Sequence, residues 1–281
     1  MPYFAYRGGR LDLSHHTHIM GILNVTPDSF SDGGRYFTVD AAADHALEMQ
    51  AQGADILDIG AQSTRPGHTP VPPGEEWRRL EPVLHALRGR LSIPISIDTY
   101  YPDVARRAAE SGAHIFNDVS GDLHNGMLEE AARCGAGLIL MHAGGGADAQ
   151  DTADAVAAVR QYFAAALTAA ARAGLPSEAV CLDPGIGFGK PRTGDLELVA
   201  RLPETLAGLP ETAVLVGASR KRVVAACCGN PPPAERLPGT LALHTLAQWN
   251  GAHILRVHDV AAAVQAARVT DALRACRHTE E

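Results

Sequence analysis

One kind of position carries most of the reactive side chains in this sequence: the residue directly after a short apolar run. Asn24 ends the run 19–23. The run 56–59 leads through Gly60 into Ser63, Thr64 and Arg65. Asp98 follows 93–97, Asn117 and Asp118 follow 115–116, His142 follows 138–141, and Asp183 follows 180–182. Ser219, Arg220 and Lys221 come after 214–216, and Arg256 and His258 lie in and after 254–257. A single Asp or Asn in such a place caps the next helix about as often as not. Capping alone does not select His, Arg, Lys and Asp together. Sorted by chemistry, Arg65, Arg220, Lys221, Arg222, Arg256 and His258 make a cationic set suited to a phosphate or diphosphate. If 219–222 open a helix, backbone N–H groups add to that set. Asp98, Asn117 and Asp183 suit a flat heterocycle rich in N–H donors and ring nitrogens, with Met141 and Phe188 as apolar walls. The ligand so outlined has a hydrogen-bonding ring at one end and an anion at the other.

The elements that must hold these residues read as strands and helices in alternation. Eight runs qualify as strands: Ile19–Leu23, Ile56–Ile59, Ile93–Ile97, Ile115–Phe116, Leu138–Met141, Val180–Leu182, Val214–Val216 and Ile254–Val257. Most are apolar on both faces, as in a covered parallel sheet. Helices are expected over about 38–52 and from near Glu75, where Pro82 should kink or interrupt the second. A third should have Pro102 and Asp103 in its first turn. Gly-Ala followed by an apolar strand recurs at 53–54, 112–113, 135–136 and 251–252, which marks repeated helix exits. Eight such units without a linker predict a single α/β domain over 1–281, a closed (β/α)8 TIM barrel with its core at about 17–276 and its active site at the carboxyl ends of the strands. An open doubly wound sheet is the second choice. It usually shows a glycine fingerprint after its first strand, and here that strand leads into NVTPDSFSDGG.

Composition narrows the function. The 281 residues are 46% hydrophobic and 20% charged, a globular balance. A formal net charge of −8 argues against a nucleic-acid coat or a basic membrane-binding surface. Aromatics at 5% make a stacking platform for single strands improbable. No apolar run approaches the roughly 20 residues of a membrane span, and residues 1–21 lack a signal-peptide pattern. The five cysteines are an odd number without CxxC spacing, so a disulfide framework or zinc site is not expected and a reducing cytoplasm fits.

Eight strings occur in order: MGILNVTPDSFSDGG (20–34), STRPG (63–67), ISIDTYYP (95–102), FNDVSG (116–121), LMH (140–142), LDPGIGFGK (182–190), GASRK (217–221) and RVHDV (256–260). Together they resemble the dihydropteroate synthase family from about residue 19 to the C-terminal helix. The resemblance implies a pterin-binding barrel, usually a homodimer, that condenses 6-hydroxymethyl-7,8-dihydropterin diphosphate with 4-aminobenzoate, assisted by Mg²⁺. It implies that Asp98, Asn117, Asp183 and Lys221 hold the pterin, with Met141, Phe188 and Gly217 lining its slot. Asn24, Arg65, Arg256 and His258 would hold the diphosphate, with Asn24 and Asp32 near Mg²⁺. Thr64 and Ser219 would share the mouth, and Phe30 and Pro66 would help Lys221 form the aminobenzoate pocket. The catalytic assignments it implies are Asp98, Asp183, Lys221, Arg256 and His258.

Two positions depart from the family pattern. Gln62 stands where many members have Glu, which bears on loop packing. Arg222 stands where many have Ser, whose backbone N–H and hydroxyl help meet the aminobenzoate carboxylate. Arg222 keeps the N–H and adds a charge, pointing either inward or to solvent. Two other functions are weighed. A pterin barrel that transfers methyl groups to a corrinoid protein would share the Asp and Asn contacts but would not need the SRK and RVHD set. A non-catalytic pterin-binding paralogue would not need to keep the diphosphate residues.

Overall fold

The computed structural model of the chain describes residues 2–26, 38–62, 70–144 and 154–277. Two strands, β1 (Tyr3–Tyr6) and β2 (Gly9–Asp12), form an antiparallel hairpin. Eight parallel strands then close a barrel: β3 (His18–Asn24), β4 (Ile56–Gly60), β5 (Ile95–Asp98), β6 (Ile115–Asp118), β7 (Gly137–Met141), β8 (Val180–Asp183), β9 (Ala213–Val216) and β10 (Ile254–Val257). Neighbours in sequence are neighbours in space, and β10 pairs back onto β3. The helices are α1 (Val39–Ala51), α2 (Pro73–Leu87), α3 (Pro102–Glu110), α4 (Met127–Cys134), α5 (Ala155–Arg172), α6 (Arg192–Ala200), α7 (Leu202–Leu206), α8 (Arg222–Cys227), α9 (Leu237–Trp249) and α10 (Val260–Arg277). This is the expected (β/α)8 barrel.

The Gly-Ala repeat has a physical meaning in this fold. Gly53, Gly112, Gly135 and Gly251 all have positive φ. The alanine that follows each one donates its N–H five residues back: Ala54 to Met49, Ala113 to Ala108, Ala136 to Ala131 and Ala252 to Ala247, at 2.9–3.0 Å. This is the 6→1 bond that closes a helix on a left-handed glycine. Each of those alanines is buried, so a single dipeptide ends the helix and seats the entry to the next strand.

Two local expectations change. Helix α2 begins at Pro73 and runs through Pro82 without a break. Pro82 lies on the exposed face, where the carbonyl left without a donor meets water instead of apolar core. Strand β5 begins at Ile95 and not Ile93, because Pro94 has no N–H for the ladder.

The hairpin was not foreseen. It plugs the amino-terminal end of the barrel. Phe4, Leu11 and Leu13 join Met20, Ile56, Ile115, Ile139, Cys181, Leu215 and Ile254 in an apolar cluster separate from the larger one that includes the barrel's helices. A side-chain carbon at Gly137 would lie 2.8 Å from the Phe4 ring and 2.9 Å from the Ala5 carbonyl, so the strand start must be bare for the plug to seat. Phe4 is 0% exposed. Phe4→Ala should therefore cost about 3–5 kcal/mol of stability, read as a lower midpoint in chemical denaturation.

Candidate active site

The carboxyl ends of the strands form a polar rim around an apolar barrel. Residue pairing places Asn24 beside Gly60, Gly60 beside Asp98 and Asp98 beside Asn117. Further round, Met141 stands beside Asp183. Asp98, Asn117, Met141 and Asp183 are all buried. Gly60 carries no side chain between Asn24 and Asp98, which keeps a gap open in this row.

Arg256 organises the floor. Its Nε donates to Asp58 Oδ2 at 2.6 Å and its Nη2 to Asp98 Oδ2 at 2.7 Å. Asn117 Nδ2 donates to the same Asp58 oxygen at 3.1 Å. Burial pushes the Asp98 carboxyl up from the usual range, with Asp58 and Asp118 adding to the rise and Arg256 opposing it. Burial alone would lower the Arg256 guanidinium, yet the carboxylates around it raise it, so it stays charged. Asp58 Oδ1 and Asn117 Oδ1 are buried with no hydrogen-bond partner among the described residues. Unsatisfied acceptors of this kind at a barrel mouth mark places for a ligand's N–H groups.

The segment 183–190 forms the opposite wall. Asp183 Oδ1 accepts the Gly185 N–H at 2.7 Å, and Asp195 Oδ1 accepts that of Gly187 at 2.8 Å. Gly185, Gly187 and Gly189 all have positive φ. A β-carbon at Gly187 would press on Lys221 Cδ at 3.0 Å, and one at Gly189 on the Gly144 carbonyl at 2.6 Å. Lys190 ties the turn together by donating to the carbonyls of His142, Gly185 and Phe188 at 2.9–3.2 Å. Lys221 Nζ donates to the Ile186 carbonyl at 2.6 Å and sits 4.3 Å from the centre of the Phe188 ring. It also lies 3.9 Å from where a β-carbon of Gly217 would be, so Gly217 keeps the slot open between Lys221 and Arg256.

The expected cationic set separates into different tasks. Arg220 has a left-handed backbone, φ 57. Three contacts hold it: its N–H donates to Thr240 Oγ1, its guanidinium forks onto Asp259, and Arg236 donates to its carbonyl. That bend turns Lys221 into the barrel, while Arg220 itself is committed to Asp259. Arg222 opens the short helix α8 with its side chain exposed, so it is outward in this structure and not in the anion set. His258 is driven down to about 4 by burial first and then by Arg256 and Arg220, so it is a neutral imidazole and not a cation at pH 7. Ser219 Oγ accepts the His258 backbone N–H at 3.2 Å and lies 2.9 Å from Nδ1. With that oxygen accepting, its hydroxyl hydrogen is available to Nδ1, which favours the ring proton on Nε2.

Asn24, Asp98, Asn117, Met141, Asp183, Phe188, Gly217, Ser219, Lys221, Arg256 and His258 thus all stand at one end of the barrel. Phe30, Asp32, Thr64, Arg65 and Pro66 lie outside the described residues. Asp58 was missed. Its signal was an acidic residue inside the otherwise apolar strand ILDIG. Gln62 acts at the base of the second loop: its Nε2 donates to Glu76 Oε2 at 3.2 Å, and its Oε1 accepts from Tyr100 at 3.1 Å. Burial pushes the Glu76 carboxyl up to about 7.

A family model described as pterin binding enzyme matches residues 20–258. The dihydropteroate synthase of Escherichia coli K12 is 45% identical over 97% of this chain and 96% of its own length. The Xanthomonas albilineans dihydropteroate synthase solved with 4-aminobenzoic acid superposes with a TM-score of 0.90 at 41% identity, covering 98% of this chain and 99% of that one. A structure of the enzyme from the same organism with 7,8-dihydropteroate gives a TM-score of 0.85 at 37% identity, over 98% and 99% of the two chains.

The chain contains two lysines, and both belong to this wall. Burial is the main cause that lowers each, Lys190 and Lys221, to about 8, with Asp183 opposing the fall in both. Each ammonium is therefore charged below pH about 8 and neutral above it. Isotope labelling of lysine should show two side-chain signals that titrate near pH 8. Titration of both at the ordinary value near 10.5 would contradict the buried geometry.

Proposed function

Because the chain belongs to the dihydropteroate synthase family of pterin-binding enzymes, we propose that the charged mouth of its barrel is where 6-hydroxymethyl-7,8-dihydropterin diphosphate and 4-aminobenzoate are joined. The products are 7,8-dihydropteroate and diphosphate. The protein is accordingly a transferase of folate biosynthesis. The observation that carries the site assignment is the Arg256 bridge between Asp58 and Asp98, with the open acceptors of Asp58 and Asn117 beside it. A pterin presents a row of N–H donors, and these oxygens together with Asp183 accept them. Lys221 meets its carbonyl oxygen, and Met141 and Phe188 flank the ring.

The chemistry divides between the two ends of the substrate. The bond between the methylene carbon and the diphosphate oxygen breaks, and its electron pair leaves with the diphosphate. Among the described residues, Nε and Nη2 of Arg256 serve the carboxylates, so Nη1 is the edge that meets the leaving group. The Nε2–H of His258 donates to the same anion, and Arg65 completes the set. The methylene cation left behind is stabilised by the electron-rich dihydropterin, and the buried carboxylates Asp98 and Asp183 favour it electrostatically. The free aniline nitrogen then forms the new bond and loses a proton. Phe30, Pro66, Thr64 and the backbone N–H of Arg222 serve the aminobenzoate, and exclusion of water from the mouth removes a competing nucleophile.

Mg²⁺ fits this mouth. The ion takes one or two protein oxygens along with substrate phosphates and water. Asn24, at the end of β3 beside Gly60, would offer a hard amide oxygen, and Asp32 is the second candidate. Held there, Mg²⁺ would supply charge neutralisation for the diphosphate.

We further assign the partner to a second copy of the chain. Leu246 and Trp249 of α9 are 54% and 39% exposed, and Val269 and Leu273 of α10 are 63% and 55% exposed. The two helices pack side by side, and exposed apolar groups of this size suit a protein partner. No helix among the described residues is long and apolar enough to cross a membrane. An odd number of cysteines without CxxC spacing fits a reducing cytoplasm.

The reading is tested by diphosphate release from the purified protein with the pterin diphosphate and Mg²⁺, with and without 4-aminobenzoate. Release should require or be accelerated by the amine, with dihydropteroate appearing in step. Pterin binding without dihydropteroate would point to the non-catalytic paralogue. Arg256→Ala should lower kcat/KM by about 100-fold or more. It should also cost about 3–5 kcal/mol, because two buried carboxylates lose their counter-charge. For the partner, Val269→Glu together with Leu273→Glu should shift the sedimentation coefficient from dimer to monomer. An unchanged dimer would place the interface elsewhere.

A further inference from the structure

At the opposite end of the barrel from the reactive mouth, His16, His18 and Asp55 offer three ligand atoms within 4.8 Å of one another. His18 opens β3 and Asn24 closes it. At about 3.3 Å per residue this separates the cluster from the mouth by roughly 20 Å. We propose that these three side chains form a binding site for a divalent transition ion of the Zn²⁺ class.

Two imidazole nitrogens face one carboxylate oxygen. His16 Nε2 and His18 Nδ1 lie 3.6 and 3.7 Å from the same oxygen, Asp55 Oδ1. Those distances are too long for hydrogen bonds. They are close to the separation of about 3.3–3.5 Å between ligands of a tetrahedral zinc at its usual bond lengths. The two ring centres stand 4.2 Å apart with their planes inclined at 60°, and all three ligand atoms lie within 4.8 Å of one another.

The supporting contacts are also in place. His18 is 3% exposed, and its Nε2 is 2.7 Å from the Asp12 carbonyl oxygen. A carbonyl only accepts, so Nε2 carries a proton, and in the neutral ring Nδ1 carries the lone pair. That buried Nδ1 has no hydrogen-bond partner among the described residues. A ligating histidine typically donates its second N–H to a carbonyl in this way. Asp55 is likewise oriented: its Oδ2 accepts the Ile19 N–H at 2.8 Å, leaving Oδ1 toward the two rings. His16 is half exposed and supplies the open side, where water completes the coordination. Imidazole and carboxylate ligands suit Zn²⁺, Co²⁺ or Ni²⁺, and not Mg²⁺, which takes oxygen ligands.

The site would tie the residues that follow the hairpin plug to the first barrel strand and to the turn before β4. The ion is therefore structural in effect and remote from the reaction. The test uses untagged full-length protein, stripped with a chelator and titrated with Zn²⁺ by calorimetry. One ion should bind per chain. At 100 times Kd the melting temperature should rise by about 5 °C. Co²⁺ in its place should give the visible absorption bands of a tetrahedral nitrogen–oxygen site. His16→Ala changes a half-exposed side chain, and Asp55→Asn keeps an oxygen for the Ile19 N–H. Each should still fold and should weaken Zn²⁺ binding at least tenfold. The chain has 13 histidines, so the variants decide where the ion sits. Equal binding in wild type and both variants, or no stoichiometric binding at all, would overturn the proposal.

Discussion

Everything at the reactive mouth depends on one guanidinium. Arg256 reaches from the last strand of the barrel to Asp58, 198 residues earlier, and to Asp98, 158 residues earlier. Two buried carboxylates so close together repel, and one of them would hold a proton if no cation stood between them. A buried ion pair of this kind is weak evidence for stability, since the charges lose their hydration. Its use is to keep a set of acceptors in place for a ligand's donors. The surrounding glycines follow from it. Gly217 and Gly60 leave room beside Arg256 and Asp98, and larger residues there would fill the slot that the charges define.

The cations are specialised by their geometry. Arg220 is held in a strained backbone by Thr240, Asp259 and Arg236, and its value lies in the bend that delivers Lys221. Lys190 never faces the mouth as a free charge. It gathers the carbonyls of Gly185 and Phe188 in the turn together with that of His142 after β7. His258 is neutral, and Ser219 sets its orientation. A cluster that looks uniformly basic in one dimension is therefore one guanidinium for charge, one ammonium for the ring wall, one ammonium for the scaffold and one imidazole for a directed hydrogen bond.

This explains what could and could not be read from the chain. The eight strands were legible because a strand covered on both faces is an uninterrupted apolar run, and because Gly-Ala marks each of four helix exits. Their terminal residues were legible because all parallel strands of a barrel end on the same side. Asp58 was not, since an acidic residue inside a strand lies where core residues belong. The partners of Arg220 and Arg256 were also hidden, because pairing across tens to hundreds of residues leaves no local trace. The hairpin escaped because two four-residue strands carry little periodicity, and its single buried aromatic, Phe4, gains meaning only inside the barrel.

That hairpin also bears on how the chain is made. The first strand of the sequence rests against β7, β8 and the turn at 177–179. Phe4 precedes β7 (Gly137–Met141) and β8 (Val180–Asp183) in the chain, so it is made long before the wall that receives it. Until then the aromatic lacks that wall and must stay out of non-native apolar contacts. Seating the plug is thus a late event for an earlier segment, and the barrel's amino-terminal end is sealed by residues made well before the strands that hold them.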